Sequence, residues 1–482
     1  MLRKVGNFLL VNNSVRQTFV KNTFWLFVGE TVNRLFKFVL ILYAARILGV
    51  AGWGTLSYAF GVVGLFLMLS DLGLNVLIIR EIAKKSEQKF QYLSTAFFIR
   101  LTLLIVSVCL ALITVPYISN IPDLRNILFV VALLFAFDSI RELLISLLRA
   151  LEEMEKEALI KIINGLLTGI LGLMVLFLIP SVENLAYVYL AGSTIGLVIT
   201  IYILRKYLKN ILWSFSRDLV QPILQTTWPL FIFGVIGIVM TNTDIVMLGW
   251  WKTPADIGLY SAAQRLIQFL LIIPNLIAIA MFPIFSKLFA KDIVQLRTAL
   301  EKTLALIFLL SLPIVTGGIL LGEEIMLVVF GASYVSSTLV FQIFLGTVLI
   351  MFPMLVVNNY IFVQNQQQKF IWPMIGGVLL NIILNFVFIQ KFGIYGAASA
   401  TALSSFILAI FMWDRAKQIS YFEIFPHIKK IILATIVMGV LTLWLKRLGL
   451  NVFFNITLSA LTFSCVLFVL KEPILREIKK LF

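Results

Sequence analysis

Fourteen apolar runs, most about as long as a membrane-crossing helix, fill most of this 482-residue chain. About 20 apolar residues are needed for a helix to cross the hydrocarbon layer, so each run predicts one span. Hydrophobic residues make up 61% of the chain, against about 45–50% in soluble domains. A water-soluble fold is therefore excluded. The runs lie near 24–48, 55–79, 94–116, 126–148, 158–180, 184–204, 223–251, 257–285, 301–321, 338–363, 371–389, 395–413, 428–445 and 452–470.

Positive charge alternates between the loops. Of the 39 Lys and Arg residues, 29 are assigned to every second loop, among them Arg100, Arg149 and Lys161, 6 to the intervening loops and 4 to the runs themselves. Because Lys and Arg in short loops favour the cytoplasm, this pattern predicts a multi-pass protein of a prokaryotic inner membrane with both termini cytoplasmic. The net charge of +16 does not indicate nucleic-acid binding, since it is spread over many short loops.

A short internal repeat predicts how the spans are grouped. Three residues match at a constant offset of 204, namely Gly54, Ser57 and Ala59 with Gly258, Ser261 and Ala263. Six spans separate the two segments, and an even number implies that the two halves run in the same direction through the membrane.

The predicted fold is therefore an all-α membrane protein with two parallel six-helix lobes and two additional C-terminal helices. The lobes are placed at residues 1–210 and 211–420, and the additional pair at 421–482. A pseudo-two-fold axis along the membrane normal leaves a cavity between the lobes and favours alternating access.

Charged residues inside the runs are candidates for function, because a charge at mid-membrane is costly unless it faces protein or water. On the first run, Glu30, Arg34 and Lys37 share one helix face, as their spacing requires. The other candidates are Asp71 on the second run, Asp138, Arg141 and Glu142 on the fourth, Asp244 beside Asn242 on the seventh, and Arg265 on the eighth.

A structural interpretation of these charges stays open beside the functional one. Glu30 with Arg34, and Asp138 with Arg141, are spaced to form ion pairs that fix helix packing. Asp71 precedes a Leu-Gly pair and is assigned a structural or gating role. Asn381 and Asn385, one turn apart, are expected to hydrogen-bond between helices rather than to sugar.

No metal site or bound cofactor is expected. His427 has no second His or Cys nearby to complete a ligand set, so a metal site is not predicted. The chain lacks a phosphate-binding nucleotide loop, so transport would depend on a gradient or on later consumption of the product. Coupling to H⁺ or Na⁺ is a possibility that the sequence leaves open.

Several motifs resemble one known family. They are Thr241-Asn-Thr-Asp-Ile-Val-Met-Leu-Gly249, Ile257-Gly-Leu-Tyr-Ser-Ala-Ala263 with Arg265, Asp71-Leu-Gly-Leu74, and Asn381-Ile-Ile-Leu-Asn385 with Gly393-Ile-Tyr-Gly-Ala-Ala398. The combination, over residues 8–415, resembles the polysaccharide-transporter (Wzx-type, O-antigen or oligosaccharide) flippases of the multidrug/oligosaccharidyl-lipid/polysaccharide exporter superfamily.

The resemblance implies a transporter, not an enzyme, that moves a polyprenyl-diphosphate-linked oligosaccharide from the cytoplasmic to the outer leaflet for polysaccharide or lipopolysaccharide biosynthesis. The residues that it assigns to the diphosphate are Arg34, Lys37, Arg141 and Arg265. The residues suited to the glycan are Tyr58, Asn242 and Tyr260. The candidates for coupling or gating are Glu30, Asp71, Asp138, Glu142 and Asp244. Polymerase or ligase machinery is an expected partner.

Two other functions stay open. A multidrug or organic-cation antiporter of the same superfamily would use the carboxylates inside the runs as cation and proton sites, although twelve spans are usual there. A polytopic polysaccharide polymerase or glycosyltransferase generally carries a long hydrophilic loop, and no loop here is long enough.

Overall fold

The computed structural model describes residues 15–84, 88–119, 121, 124–364, 366–419 and 421–473. Within these residues it contains sixteen α-helices and no β-strand, so the all-α fold is confirmed. In chain order the helices are α1 Val15–Leu67, α2 Leu74–Ala83, α3 Lys89–Ile118, α4 Leu124–Ala150, α5 Met154–Leu178, α6 Val182–Ile203, α7 Leu208–Trp213, α8 Val220–Trp251, α9 Pro254–Leu270, α10 Ile272–Phe289, α11 Ile293–Leu320, α12 Gly322–Phe330, α13 Thr338–Val363, α14 Ile371–Ile419, α15 Phe425–Arg447 and α16 Val452–Val469.

Among the described residues, eleven helical segments are long and apolar enough to cross a membrane. Two of them are bent at a glycine: α1, bent at Gly49, contains the run 24–48 and the first part of the run 55–79, and α14, bent at Gly393, contains the runs 371–389 and 395–413. Glycine allows the bend because both residues have positive φ, 70° at Gly49 and 60° at Gly393. The structure describes a multi-pass membrane protein, and the number of fourteen crossings stays a prediction.

Two runs expected to be continuous helices are broken. The run 55–79 is interrupted after Leu67 by a 3₁₀ turn and by Leu72 and Gly73, which have φ of 43° and 72°. The run 257–285 is divided at Leu271, three residues before Pro274, which lacks the N–H needed to continue the helix. Hydrophobicity predicts these crossings but not their interruptions.

The chain divides into two compact units, Met1–Gly258 and Leu259–Phe482. In the first unit, an apolar core joins α2, α3 and α4 through residues such as Leu77, Leu93 and Leu144. In the second unit, α11 packs against α15 and α16 around Met438 and Phe463. The lobes predicted from the sequence, at residues 1–210 and 211–420, stay a prediction.

The repeat-related glycines contact each other. A Cβ atom on Gly54 would lie 1.7 Å from the carbonyl oxygen of Pro254 and 2.8 Å from the amide nitrogen of Gly258. Conversely, a Cβ atom on Gly258 would lie 1.9 Å from the carbonyl oxygen of Val50. The contact is reciprocal, and it explains why glycine occupies both positions of the repeat.

Polar side chains hold helices together in the second unit. Asn381 donates hydrogen bonds to Ser404 and Thr401, at 3.2 and 3.3 Å, and so joins the two halves of α14. Asn385 donates to Asn381 at 3.1 Å. The expected use of these amides in helix-to-helix bonding is confirmed for Asn381, whereas the bond from Asn385 to Asn381 lies within one helical segment.

Candidate functional site: a charged network in the first unit

A seam of small residues brings α5 unusually close to α1. A Cβ atom on Gly165 would lie 2.8 Å from the Cα of Asn33, and one on Gly29 would lie 2.7 Å from the Cα of Ala158. Such close approach of two backbones is the usual role of small residues between membrane helices. It places the charged first turns of α5 against the polar face of α1.

Substitution at this seam should destabilise the first unit. We expect Gly165→Ala to lower the free energy of unfolding by about 1–3 kcal/mol, because the added methyl group overlaps the α1 backbone. The measurement is unfolding in detergent. Gly346→Ala is the matched control, since nothing lies within 4 Å of its added Cβ. Equal stability of the two variants would contradict the close packing of α1 and α5.

The central carboxylate of the site is Glu30, which binds two cations. It accepts a hydrogen bond from Arg34 Nε at 2.6 Å on its own helix and from Lys161 Nζ at 2.9 Å on α5. Lys161 also lies 3.0 Å from Glu157. The predicted Glu30–Arg34 pair is confirmed, and it is extended to a second helix.

Glu157 links this group to α4. Its side chain is fully buried and accepts two hydrogen bonds from the Arg149 guanidinium, at 2.6 and 2.9 Å. A buried carboxylate requires such partners, because removing it from water costs roughly several kcal/mol. Arg149 also lies 3.8 Å from Glu142. Glu142 and Glu157, bridged by Arg149, therefore form a continuous chain of charges between α4 and α5.

The second predicted pair also forms. Arg141 Nη1 lies 2.8 Å from Asp138, whose carboxylate also accepts a hydrogen bond from the Ser193 hydroxyl on α6. Arg141 is buried. It packs against Gly196, where a Cβ atom would lie 3.0 Å from the guanidinium. This pair therefore has a packing role in addition to any role in transport.

Lys37 differs from its neighbours. It is half-buried, and its ammonium forms no hydrogen bond or ion pair with any residue that the structure describes. It still experiences the charges of Asp138, Arg141 and Glu30. Arg34, although paired with Glu30, keeps 46% of its side chain exposed. Both cations of α1 therefore present part of their side chains to the surroundings, and Lys37 does so without a bonding partner among the described residues.

We use the name charged network for this group. Its members are the cations Arg34, Lys37, Arg141, Arg149 and Lys161 and the anions Glu30, Asp138, Glu142 and Glu157. Six of these nine were singled out from the sequence, and the structure brings all six together. Arg149, Glu157 and Lys161 were missed because Arg149 and Lys161 were assigned to a loop. That assignment is wrong for Lys161, which lies within the apolar helix α5.

Asp71 lies outside the charged network, at the break between α1 and α2. Its carboxylate forms an ion pair with Arg100 of α3, whose side chain is 2% exposed. Arg100 also donates to Asn75 Oδ1 at 3.0 Å and to the carbonyl of Ser139 at 2.9 Å. The prediction that Arg100 lies in a loop is therefore wrong, because the residue is buried within α3. It holds the broken helix against α3 and α4.

The other candidates of the first unit lie on packed surfaces. Tyr58 is buried against Gly249, where a Cβ atom would lie 1.9 Å from its ring. Asp244 is fully buried, and Asn242 donates at 3.0 Å to the carbonyl of Ile238 on its own helix. Their predicted contacts with glycan or coupling ion stay predictions.

The second unit holds the two remaining candidates. Tyr260 is fully buried and its ring meets Phe344 edge-on, with centroids 5.3 Å apart. Arg265 is half-buried and donates to Gln268 at 2.9 Å. Their predicted contacts with the glycan and the diphosphate stay predictions.

An apolar cavity of about 640 Å³ also lies in the second unit. Its walls come from α9, α11, α13 and the C-terminal helices α15 and α16, with Phe269, Pro313 and Phe463 among them. Its few polar groups include Thr442 and Ser459, whose hydroxyls bond each other at 2.8 Å. The cavity therefore suits a hydrocarbon chain rather than a charged group.

Residues 19–289, more than half of the chain, match the family described as polysaccharide biosynthesis protein. The chain belongs to this family. Relatives that it resembles include a probable low-salt glycan biosynthesis flippase of Haloferax volcanii, 24% identical over 79% of each chain. A putative O-antigen transporter of Shigella flexneri is 25% identical over 84% of this chain and 99% of its own.

Two solved structures share the fold of this polysaccharide biosynthesis family member. The lipid II flippase MurJ in an inward-closed conformation matches with a TM-score of 0.77 and 17% identity, covering 94% of this chain and 99% of its own. An inward-facing multidrug resistance transporter of the MATE family matches with a TM-score of 0.65 and 14% identity, covering 81% and 97%. The membrane-transporter fold is therefore shared by flippases and drug exporters.

Proposed function

We propose that this protein is a flippase that transfers a polyprenyl-diphosphate-linked oligosaccharide from the cytoplasmic to the outer leaflet. The observation that carries the proposal is the charged network, in which Arg34 and Lys37 are accessible cations on a membrane-spanning helix. The names of the two curated relatives, a glycan biosynthesis flippase and an O-antigen transporter, support the same substrate class.

The physical requirement is to lower the cost of moving a diphosphate through the membrane. A diphosphate loses its hydration on leaving water, and Arg and Lys replace it through charge-assisted hydrogen bonds. Arg34 offers a planar donor set, and Lys37 offers a compact ammonium without a bonding partner in the described residues. The apolar cavity of the second unit offers a separate surface for part of the polyprenyl chain.

The pairing of the carboxylates favours an anionic substrate over an organic cation. All four acidic residues of the charged network have a Lys or Arg nitrogen within 4 Å. A cation substrate would have to displace one of these partners. An anion meets Lys37, which has no bonding partner in the described residues, and the Nη atoms of Arg34, whose Nε bonds to Glu30.

The remaining parts of the mechanism belong to the same proposal. Two parallel lobes alternate their access, both termini face the cytoplasm, and polymerase or ligase machinery consumes the product. The termini lie outside the described residues. Arg141 and Arg265 assist at the diphosphate, while Glu30, Asp138, Glu142 or Asp244 binds the coupling H⁺ or Na⁺.

Ligand binding to the purified protein in detergent tests the substrate class. We expect polyprenyl diphosphate to bind, and polyprenol, which has the same tail without phosphate, to bind at least tenfold more weakly. A lipophilic organic cation should not compete. Equal binding of polyprenol and polyprenyl diphosphate, or displacement by the organic cation, would overturn the proposal.

The coupling role has its own prediction at Asp244, which is fully buried. We expect Asp244→Asn to remove the pH- or sodium-dependent part of transport while leaving some flipping, because the amide cannot take up a cation. Transport by proteoliposomes is measured with imposed gradients of each ion. Thr243→Ser, at the neighbouring position, is the control. If transport by Asp244→Asn depends on the two gradients as transport by the parent protein does, Asp244 has a packing role and not a coupling role.

A further inference from the structure

A second cavity, of about 810 Å³, lies at one end of α14 and is separate from the residues discussed above. The bend at Gly393 turns α14 back on itself, so that its first residues and its last turns line the same cavity. Trp372 and Pro373 come from the first part, and Phe411 and Arg415 from the last. The cavity therefore lies at the ends of helical segments that are long and apolar enough to cross a membrane.

The cavity is cationic. Lys369 and Arg415 line it together with the amides of Gln366 and Gln418, and none of its described lining residues is acidic. The nearest carboxylate in sequence, Asp414, accepts a hydrogen bond from Gln418 at 2.7 Å. Lys369 is exposed and forms no ion pair with a described residue. The described lining of the cavity therefore carries two cations, two amides and no carboxylate, and Arg415 also donates to Gln418 at 3.3 Å.

The other walls are aromatic and apolar. Trp372 is 78% exposed, and the Arg415 guanidinium stacks over the Phe411 ring, 5.1 Å from its centroid. Tryptophan with neighbouring cations is typical of a membrane interface, where the ring contacts acyl chains and the charges contact headgroups. A free inorganic anion would use the cations but would leave these apolar walls in contact with water.

We propose that this cavity binds an anionic phospholipid of the surrounding membrane. The phosphate lies between Lys369 and Arg415, Gln366 and Gln418 donate or accept at the polar glycerol headgroup, and the first methylenes of the acyl chains lie along Trp372 and Phe411. The volume of the cavity is within the range of about 300–1,000 Å³ typical of small-molecule sites. The site is distinct from that proposed for the transported glycolipid.

Native mass spectrometry of the intact protein, with phosphatidylglycerol and phosphatidylcholine added in equal amounts, tests the proposal. We expect phosphatidylglycerol to be retained preferentially. The variant Lys369→Gln with Arg415→Gln should lose about fivefold in affinity for each charge, as expected for cations at a membrane surface. The matched control is Lys417→Gln, which removes a neighbouring cation that stacks on Tyr421 and Phe422 and does not line the cavity.

Quenching of tryptophan fluorescence by brominated phosphatidylglycerol gives a second readout in liposomes. We expect less quenching in Trp372→Phe than in the parent protein, because Trp372 contacts the brominated chain. Equal retention of both phospholipids, or equal loss in the Lys417→Gln control, would overturn the proposal. So would displacement of phosphatidylglycerol by inorganic phosphate, which would indicate a simple anion site. Displacement by polyprenyl diphosphate at lower concentration would assign the cavity to the transported lipid instead.

Discussion

A protein carrying both Arg34→Gln and Lys37→Gln should flip its glycolipid at least about tenfold more slowly than the parent protein. Each charge-assisted hydrogen bond to the diphosphate stabilises the complex by about 1.5–3 kcal/mol, so losing both should weaken recognition severely. Folding should be preserved, because Glu30 keeps its ion pair with Lys161 at 2.9 Å. Flipping and thermal unfolding are measured on the same preparation.

The exchange of the two cations is the control. Arg34→Lys with Lys37→Arg keeps both charges on the same face of α1 and changes only their shape. We expect it to retain clearly more transport than the neutral variant. Equal transport by the neutral variant and the parent protein would remove both residues from the substrate path.

The substitution Asp71→Asn should lower the free energy of unfolding by about 3 kcal/mol. It leaves the positive charge of Arg100 buried without its counter-charge, a change that generally costs about 3–5 kcal/mol. The bonds from Arg100 to Asn75 and Ser139 offset part of that cost. Unfolding is followed in mixed micelles with increasing denaturant.

Two further variants make this test specific. Glu81→Gln, on α2, removes a carboxylate whose partners Arg80 and Lys84 are largely exposed, so it should cost less than about 1 kcal/mol. Combining Asp71→Asn with Arg100→Met should recover part of the lost stability, since no unpaired charge is then buried. If Asp71→Asn were as mild as Glu81→Gln, the ion pair would not hold the broken helix.

The spans and the charged candidates could be predicted because each depends on local spacing. The i, i+4 spacing of Glu30 and Arg34 is enough to predict that they share a helix face and pair. The bends at Gly49 and Gly393 left the apolar runs intact, so hydrophobicity still marked the helices on either side. The break after Leu67 was not predicted although Ser70, Asp71 and Gly73 stand there, because the run was judged by its overall length and hydrophobicity.

The composition of the site depends on contacts between helices, which a single sequence does not contain. Lys161 and Arg100 were assigned to loops because each lies near the end of an apolar run. The structure instead places Lys161 beside Glu30, 131 residues away, and Arg100 beside Asp71, 29 residues away. The spacing of Glu157 and Lys161 at i, i+4 was the available signal, since such a pair indicates one charged helix face.

The most direct test of the account is leaflet accessibility of a polyprenyl-diphosphate oligosaccharide in liposomes that contain the purified protein. A glycan-modifying enzyme that cannot cross the bilayer is added outside, and modification of the glycolipid initially sealed in the inner leaflet is followed over time. We expect modification beyond the outer-leaflet fraction with the parent protein, and at least about tenfold slower modification with Arg34→Gln and Lys37→Gln together. Modification limited to the outer-leaflet fraction, with several glycans and with imposed H⁺ and Na⁺ gradients, would contradict it.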